Sequence, residues 1–379
     1  MVKVLILGSK EYPFGTNMGD DTIPSGGMEI YVDDLAPELS KLCELIIITR
    51  RFRGAENHEK KGNIEVFRVP WVRGEFVRNF SFNLFSFFKS MGVAKRADII
   101  YSNAFISGFF ALLLGKIFRK PAVYRPAGIG FVQYGFPLNV IFFRMEKFVF
   151  DNSDAIIFHS DGERSNAESL FGKRFRNAHV ILTGFPLDKF AHGKPGALKK
   201  EFGLGGEIVI TSVSRFVPVK GLEYLIKALS GISGEVKLLL VGSGPEEANL
   251  RMLVEKTGVS GNVIFAGFRR DVPDVLALTD IFVVSSLSEG LPTSLLEAMA
   301  AGKACIVTDI GLPVEHMKTG LVVQPKNPEA LSEAINILIR DESLRKRLGA
   351  NARKFVGDNC TQKMAAGKHM AVFSGLVKS

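Results

Sequence analysis

Short continuous apolar runs alternate with longer segments of helical spacing along the whole chain. Apolar runs of this kind, bounded by turn residues, are typical of strands buried on both faces of a parallel sheet. The predicted strands are VKVLILG, ELIIITR, ADIIYSN, PAVYRPAG, DAIIFHS, EIVITSVSRF, VKLLLVGSG, NVIFAGF, DIFVVSS and ACIVTD. The predicted helices include MEIYVDDLAPELSKL, FISGFFALLLGKIF, GLEYLIKALSGI and EEANLRMLVEK. This alternation predicts an α/β fold with two Rossmann-like, doubly wound sheets.

The 379 residues exceed the usual size of a single hydrophobic core. Glycine and proline crowd together in the segment 184–196, after a predicted strand at 179–182. We therefore predict an N-terminal domain of residues 1–183 and a C-terminal domain of residues 184–360. We also expect a cleft between the two domains, lined by residues at the carboxyl ends of the strands.

The composition is that of a folded globular protein, with 46% hydrophobic and 23% charged residues. The three cysteines, Cys43, Cys305 and Cys360, are scattered and odd in number, which indicates neither a disulfide framework nor a zinc site and favours the cytoplasm. The apolar runs at the N-terminus and at 105–118 are too short for a signal peptide and a transmembrane helix. The histidines have no metal-ligand spacing, so no metal is expected.

The net charge of +9 favours an anionic partner, such as a nucleotide, a nucleic acid or an acidic membrane. The sequence has no zinc-finger spacing, no RNP-like aromatic strand and no block of basic residues. A nucleic-acid partner is therefore disfavoured.

The segment SEGLPTSLLEAMAAG places two carboxylates eight residues apart. Glu289 lies in the loop after the strand DIFVVSS, and Glu297 lies within a helix predicted from Pro292 to Ala301. A carboxylate among apolar helical residues is costly unless it is paired or hydrogen-bonded. Glu297 either pairs with a structural cation or reaches solvent, or it binds a pair of ligand hydroxyls. The backbone amides of Thr293 and Ser294, at the positive end of this helix, suit a phosphate.

Two further patterns suit an anion. Arg215 ends a strand and Lys220 precedes a helix, where an anion between them would relieve the conflict with the helix dipole. Gly26 and Gly27 immediately precede another helix, which allows a close backbone approach to a ligand. Taken separately, two loop cations and a Gly-Gly turn are more often features of an ordinary surface than parts of an anion site.

Together these motifs resemble the retaining glycosyltransferases of family 4, the glycosyl transferases group 1 with the GT-B fold. The resemblance covers nearly the whole chain and is strongest from about Val209 to Leu348. Its most specific element is the E-x7-E pattern of Glu289 and Glu297, joined by SRFVPVKG and PSGGMEIYV.

The resemblance implies transfer of a hexose from a UDP- or GDP-linked sugar to a hydroxyl of a glycan or glycolipid, without metal or cofactor. Arg215 and Lys220 would bind the diphosphate, Glu289 the sugar hydroxyls and Glu297 the ribose. Gly27 would approach the phosphates when the lobes close, and the last helix, about 361–379, would pack back on the first domain. The implied donor-binding residues are Gly26, Gly27, Gly290, Leu291, Thr293, Ser294, Glu297 and Phe268.

The chain departs from the family where a histidine usually follows the strand that here reads PAVYRPAG. Gly128 lies at that place with Ala127, whereas a shifted alignment puts Arg125 there. These two residues are the candidate acceptor or sugar contacts. A sugar-nucleotide epimerase on the same fold stays as an alternative, and the missing histidine keeps a catalytically silent nucleotide-sugar-binding protein as another.

Phenylalanines and cations are interleaved from Trp71 to Gly92 and again from Ile141 to Phe150. Such a surface could dock on an anionic membrane, at its inner face, and meet a lipid-linked acceptor. Alternatively, the phenylalanines fill a core and the cations beside them are solvated.

Overall fold

The computed structural model describes residues 1–9, 12, 27–74, 77–126, 138–190 and 192–378. The chain divides into two compact units. The first unit comprises Met1–Gly184 and Gln362–Ser379, and the second comprises Phe185–Thr361. Each unit is built on its own parallel sheet, which confirms the predicted fold class.

The first sheet has eight strands among the described residues, in the order β3-β4-β2-β1-β5-β6-β7-β8. All neighbours are parallel except β3 and β4. The strands are β1 (Lys3–Leu7), β2 (Glu44–Arg50), β3 (His58–Lys61), β4 (Ile64–Val69), β5 (Ile99–Asn103), β6 (Ala122–Arg125), β7 (Ala155–Phe158) and β8 (Ala178–Val180). The helices are α1 (Gly27–Leu39), α2 (Val77–Val93), α3 (Phe105–Phe118), α4 (Leu138–Asn152) and α5 (Asp161–Phe171).

Strands β3 and β4 were not predicted from the sequence. Every residue of β4 is buried, including Glu65 and Arg68, and these charges interrupt the apolar run that marks the other strands. Both charges are compensated, because Glu65 pairs with Arg96 and Arg68 pairs with Glu59. Burying a charged side chain in a sheet costs less free energy when the charge is paired than when it is unpaired.

The second sheet has six parallel strands among the described residues, in the order β11-β10-β9-β12-β13-β14. The strands are β9 (Ile208–Val213), β10 (Val236–Val241), β11 (Val263–Gly267), β12 (Ile281–Val284), β13 (Ala304–Thr308) and β14 (Leu321–Val323). The helices are α6 (Gly196–Glu201), α7 (Leu222–Ala228), α8 (Glu247–Lys256), α9 (Val272–Leu278), α10 (Thr293–Ala300), α11 (Pro328–Arg340) and α12 (Glu342–Asn359). The short strand β14 was not predicted.

The last helix, α13 (Gln362–Lys378), belongs to the first unit. It packs against α1 and buries Ala365, Ala366, His369 and Phe373. Residues from both ends of the chain therefore share one hydrophobic core.

Cys43, Cys305 and Cys360 are all buried and form no disulfide. Burial raises the pKa of the Cys43 thiol to about 12, so this thiol is uncharged at neutral pH. No helix within the described ranges combines the length and the apolarity needed to cross a bilayer.

Candidate functional site

The order of the second sheet reverses between β9 and β12, which are neighbours although they are not consecutive in the chain. In open α/β sheets, ligands bind at the carboxyl ends of the strands at such a reversal. Lys220 follows β9 and Glu289 follows β12. The fold therefore brings two predicted site residues, 69 positions apart in the chain, to one edge of the sheet.

Lys220 and Glu289 form an ion pair, and their side chains are only 15% and 14% exposed. The Ser286 hydroxyl donates a second hydrogen bond to Glu289 Oε1, at 2.9 Å. Since the pair is largely shielded from water, its attraction is stronger than that of a surface ion pair. Both charges are thus held at the carboxyl end of the sheet.

The loops after β9 and β12 are joined by their backbones as well. The Leu287 amide donates to the Val219 carbonyl at 2.8 Å, and the Ser285 hydroxyl donates to the Lys220 carbonyl at 3.0 Å. Gly221 lies between these contacts with φ of +59°. A Cβ atom at this position would lie 2.3 Å from the Ser285 carbonyl oxygen. Only glycine combines this backbone conformation with so close an approach.

Helix α10 begins one residue later than predicted, because Pro292 is its N-cap residue, with φ of −67°. Proline has no side-chain group to cap the helix, and the amides of Thr293 and Ser294 make no hydrogen bond to a described side chain. The positive end of the helix is therefore open to an anion.

A small pocket joins these features. It is lined by Ser212, Val213, Ser214, Lys220, Val283, Val284, Ser285, Ser286, Glu289, Pro292 and Ser294. Its polar groups are an ammonium, a carboxylate and several hydroxyls, and the Ser214 hydroxyl is buried without a hydrogen-bond partner among the described residues. Such a set can hold an anion next to a group that carries hydroxyls.

Arg215 lies immediately beyond this pocket. Its side chain is exposed and makes no ion pair with a described residue. The neighbouring backbone is held firmly, because the Phe216 amide donates to the Ser243 carbonyl at 2.9 Å and the Glu246 amide donates to the Phe216 carbonyl at 3.0 Å. The loop VGSGPEE therefore positions the segment that carries Arg215.

The remaining predicted donor-binding residues occupy different places. Gly290, Leu291 and Glu297 are partly exposed, and Glu297 lies between the buried residues Leu296 and Ala298 of α10. Phe268 is exposed after β11, at the edge of the sheet, and does not line the pocket. Gly27 is the first residue of α1 in the other unit, whereas Gly26 and Gly128 lie outside the described residues.

Arg125 ends β6 in the first unit and lies in a buried polar cluster that the sequence did not reveal. Its guanidinium lies 3.4 Å from the centre of the Tyr31 ring and donates to Asn103 Oδ1 at 3.3 Å. Its Nη2 contacts His159 Nδ1 at 3.0 Å. Since a guanidinium can only donate, His159 Nδ1 accepts and carries no proton. Burial and the Arg125 charge hold the pKa of His159 well below its usual range, so the imidazole is neutral.

The cluster continues to α13. His369 Nδ1 donates to the Ala365 carbonyl at 2.7 Å, so its Nε2 accepts from the Tyr31 hydroxyl, also at 2.7 Å. The Tyr101 hydroxyl lies 3.3 Å from that of Tyr31. Burial lowers the pKa of His369 to about 4. No sequence signal joins these residues, because Tyr31 is 70 positions from Tyr101 and 338 positions from His369.

No group of three or more histidine, cysteine or acidic side chains within the described part of the chain could hold a metal ion.

Comparison with known proteins gives two family matches. The family model for glycosyl transferases group 1 matches residues 197–355, and the model for glycosyltransferase family 4 matches residues 25–189. Together the two matches take in most of both units, including the motifs around Lys220 and Glu289.

Individual proteins are similar over different lengths. N-acetyl-alpha-D-glucosaminyl L-malate synthase of Bacillus anthracis is 30% identical over 187 residues, which are 48% of this chain and 49% of that protein. The alignment thus spans about half the length of this relative. N,N'-diacetylbacillosaminyl-diphospho-undecaprenol alpha-1,3-N-acetylgalactosaminyltransferase of Campylobacter jejuni is 29% identical over 269 residues, which are 67% of this chain and 71% of that protein.

Among solved structures, the Anabaena protein HepE in complex with UDP is similar over 99% of this chain and 100% of that one, with a TM-score of 0.77. The sequence identity is 21%, so this similarity shows the fold alone.

Proposed function

Because the chain belongs to the family 4 glycosyltransferases, the glycosyl transferases group 1 with the GT-B fold, we propose that it transfers a hexose from a nucleotide-diphosphate sugar, linked to UDP or GDP, to a hydroxyl of a glycan or lipid-linked acceptor. We propose further that the anomeric configuration is retained. The observation that carries the proposal is the ion pair of Lys220 and Glu289, beside the open N-terminus of α10 at the reversal of the second sheet.

The named relatives support the substrate classes. The Campylobacter relative is named as a transferase acting on a diphospho-undecaprenol-linked sugar, and HepE was solved with UDP. A nucleoside diphosphate fits the chemistry of the pocket, since Lys220, Arg215 and the amides of Thr293 and Ser294 all favour negative charge.

Opening of the ion pair when the donor binds would couple binding of the diphosphate to recognition of the sugar. A donor phosphate competes for the Lys220 ammonium, which frees the Glu289 carboxylate to accept hydrogen bonds from sugar hydroxyls. In the free protein each group satisfies the other, so neither is left as an unpaired, shielded charge. Glu297 is the proposed partner of the ribose hydroxyls.

In the proposed reaction, the bond between the anomeric carbon and the phosphate oxygen breaks while the acceptor oxygen forms a bond on the same face of the sugar. The acceptor hydroxyl passes its proton to the departing phosphate oxygen, so the protein supplies no general base. Lys220 and Arg215 stabilise the negative charge that develops on the leaving diphosphate. Arg125 stays a predicted acceptor or sugar contact in the first unit.

The test measures nucleoside diphosphate release from a panel of UDP- and GDP-hexoses, with and without glycan and lipid-linked acceptors. Removal of one group that stabilises transition-state charge costs about 100- to 1,000-fold in rate, so we expect losses of this order for Lys220→Ala and Glu289→Ala. Lys256→Ala, at the exposed last turn of α8, is the matched control and should keep full activity.

Unchanged activity in both site variants would show that the site is assigned wrongly. Donor binding without acceptor-dependent release would instead favour the silent binding protein, and interconversion of two sugar nucleotides would favour the epimerase.

A further inference from the structure

The amphipathic pattern of α2 is inverted. Its solvent-facing side carries Val77, Phe80, Phe85, Phe88 and Met91, and all five side chains are exposed. Phe80 is 55% and Phe88 is 63% exposed. At 100° per residue these positions fall on one broad arc of the helix. The exposed apolar side chains are therefore grouped on one side of the helix.

The buried side of α2 is largely polar. Ser81, Asn83, Ser86 and Ser90 are buried beside Phe82 and Val93. Ser86 donates to the Phe82 carbonyl at 2.7 Å, and Asn83 donates to the Asn79 carbonyl at 2.7 Å. These bonds within the helix satisfy the Ser86 hydroxyl and the Asn83 amide group, so both side chains can pack inward. A surface helix of a globular protein normally has the opposite arrangement.

Cations accompany the apolar residues of α2 along the chain. From Arg73 to Ala97 the sequence has five cations, Arg73, Arg78, Lys89, Lys95 and Arg96, and a single acid, Glu75. Arg96 is paired with Glu65, whereas Lys89 is exposed and lies 4.2 Å from the centre of the Phe67 ring. Exposed apolar side chains with cations beside them are complementary to a partner that has an anionic outer layer and an apolar interior.

The neighbouring helix α3 also exposes apolar and basic residues. It packs against α2, and the rings of Phe87 and Phe110 lie 5.3 Å apart. Its last turn exposes Ile117 beside Lys116, and α3 contains no acidic residue. Arg119 follows directly. The docking surface, defined as the exposed residues of α2 and the last turn of α3, thus spans two helices of the same unit.

We propose that this docking surface binds an anionic lipid bilayer, with Phe80, Phe85 and Phe88 inserted among the acyl chains and the surrounding cations at the headgroups. The charge decides between occupants. A second copy of this chain would bring the same cations together, and its docking would be opposed by their repulsion. The inference goes beyond sugar transfer, because membrane binding needs none of the residues of the donor site.

The experiment sediments the full-length protein with vesicles of phosphatidylcholine alone or of phosphatidylcholine mixed with phosphatidylglycerol. We expect binding to the anionic vesicles at low salt, at least tenfold weaker binding to the neutral vesicles, and release as the salt concentration rises. The double variant Phe80→Ser, Phe88→Ser should reduce binding to anionic vesicles at least tenfold. Because both side chains are exposed, the variant should fold like the wild type.

The matched control is the double variant Met252→Ser, Ile337→Ser, which removes two exposed apolar side chains from the other unit and should bind like the wild type. No sedimentation of the wild type with anionic vesicles, or equal binding by the Phe80/Phe88 variant, would overturn the proposal. Self-association of the wild type that this variant abolishes would assign the surface to a second copy instead. Release of nucleoside diphosphate with a water-soluble acceptor, measured on the same variant, separates failure of this inference from failure of the proposed transfer reaction.

Discussion

At the scale of single residues, the candidate donor site depends on Gly221 as much as on the charges of Lys220 and Glu289, although glycine has no functional group. Lys220 can meet Glu289 only because the loop after β9 passes within van der Waals distance of the loop after β12. Ser285 and Ser286, at the end of β12, complete the arrangement with one hydrogen bond to each partner's segment. The sequence shows the two charges, but the hydroxyls and the glycine acquire their roles only from this proximity.

Gly221→Ala should therefore disturb the site beyond its effect on the backbone. The comparison is Gly258→Ala, because Gly258 also has positive φ, of +71°, but no atom lies within 4 Å of its missing Cβ. We expect both variants to lose about 1–2 kcal/mol of unfolding free energy from the left-handed backbone. Only Gly221→Ala should also weaken nucleoside diphosphate binding, because its Cβ must displace the Ser285 carbonyl.

Urea unfolding and calorimetric titration with UDP and GDP give the two quantities. Equal nucleotide affinity in both variants would show that the separation of the two loops does not control the site.

At the scale of elements, helix α13 shows how a remote segment completes a domain. It contributes His369 and Phe373 to the core of the first unit, and His369 accepts a hydrogen bond from Tyr31 of α1. The imidazole must stay neutral for this, because its Nδ1 donates to the Ala365 carbonyl and its Nε2 accepts. The packing of α13 on α1 is thus linked to the protonation of one buried side chain.

This linkage predicts a pH dependence of stability. The pKa of His369 is about 4 in the folded protein and about 6.5 in an unfolded chain. Between these values the unfolded state binds more protons, so the stabilisation is complete above about pH 6.5 and is lost as the pH falls towards 4. His369 alone should lower the unfolding free energy by about 1.4 kcal/mol for each pH unit in that window.

Chemical unfolding of the wild type and of His369→Gln at pH 7, 6 and 5 measures this contribution. Since glutamine does not titrate, the variant should show the shallower decrease. The same slope in both proteins would show that His369 is not held neutral by the fold.

At the scale of the whole molecule, each unit has its own sheet and its own core. Arg215, Lys220, Glu289, Thr293 and Ser294 all belong to the second unit, and the chain enters and leaves this unit at Phe185 and Thr361. Backbone contacts bring these two ends together, since the Phe185 amide donates to the Cys360 carbonyl at 2.9 Å. The second unit is thus a closed segment of the chain, as expected of a domain that folds alone.

Residues 185–361 expressed alone should fold cooperatively and bind nucleoside diphosphate with a dissociation constant within about tenfold of that of the full chain, a difference of about 1.4 kcal/mol. Lys220→Ala in the same fragment should remove this binding. Circular dichroism establishes folding, and calorimetric titration measures affinity. A folded fragment without affinity would mean that the first unit supplies essential donor contacts.

The sequence alone predicts the elements whose signals are local. A strand buried on both faces is usually a nearly continuous apolar run, and β1, β2, β9, β10 and β12 are evident as such runs. The strand β4 was missed because Glu65 and Arg68 interrupt its run, and their ion partners, Arg96 and Glu59, lie outside the strand. The position of Glu289 after an apolar strand likewise follows from sequence, because a loop at a carboxyl end is a local feature.

Tertiary structure alone decides which distant residues meet and which side of an amphipathic helix faces water. Whether the aromatic residues of α2 are buried in a core or exposed to water depends on how this helix packs on the sheet. The sequence left both interpretations open. The cluster of Arg125, His159, Tyr31 and His369 has no local signal, since each contact closes a long loop of chain. Periodicity is a property of neighbours in the chain, whereas burial and hydrogen bonding are properties of neighbours in space. The sequence therefore determined the two α/β units and the motif around Glu289, and only the packing within each unit determined the Lys220–Glu289 pair, the neutral histidines and the outward face of α2.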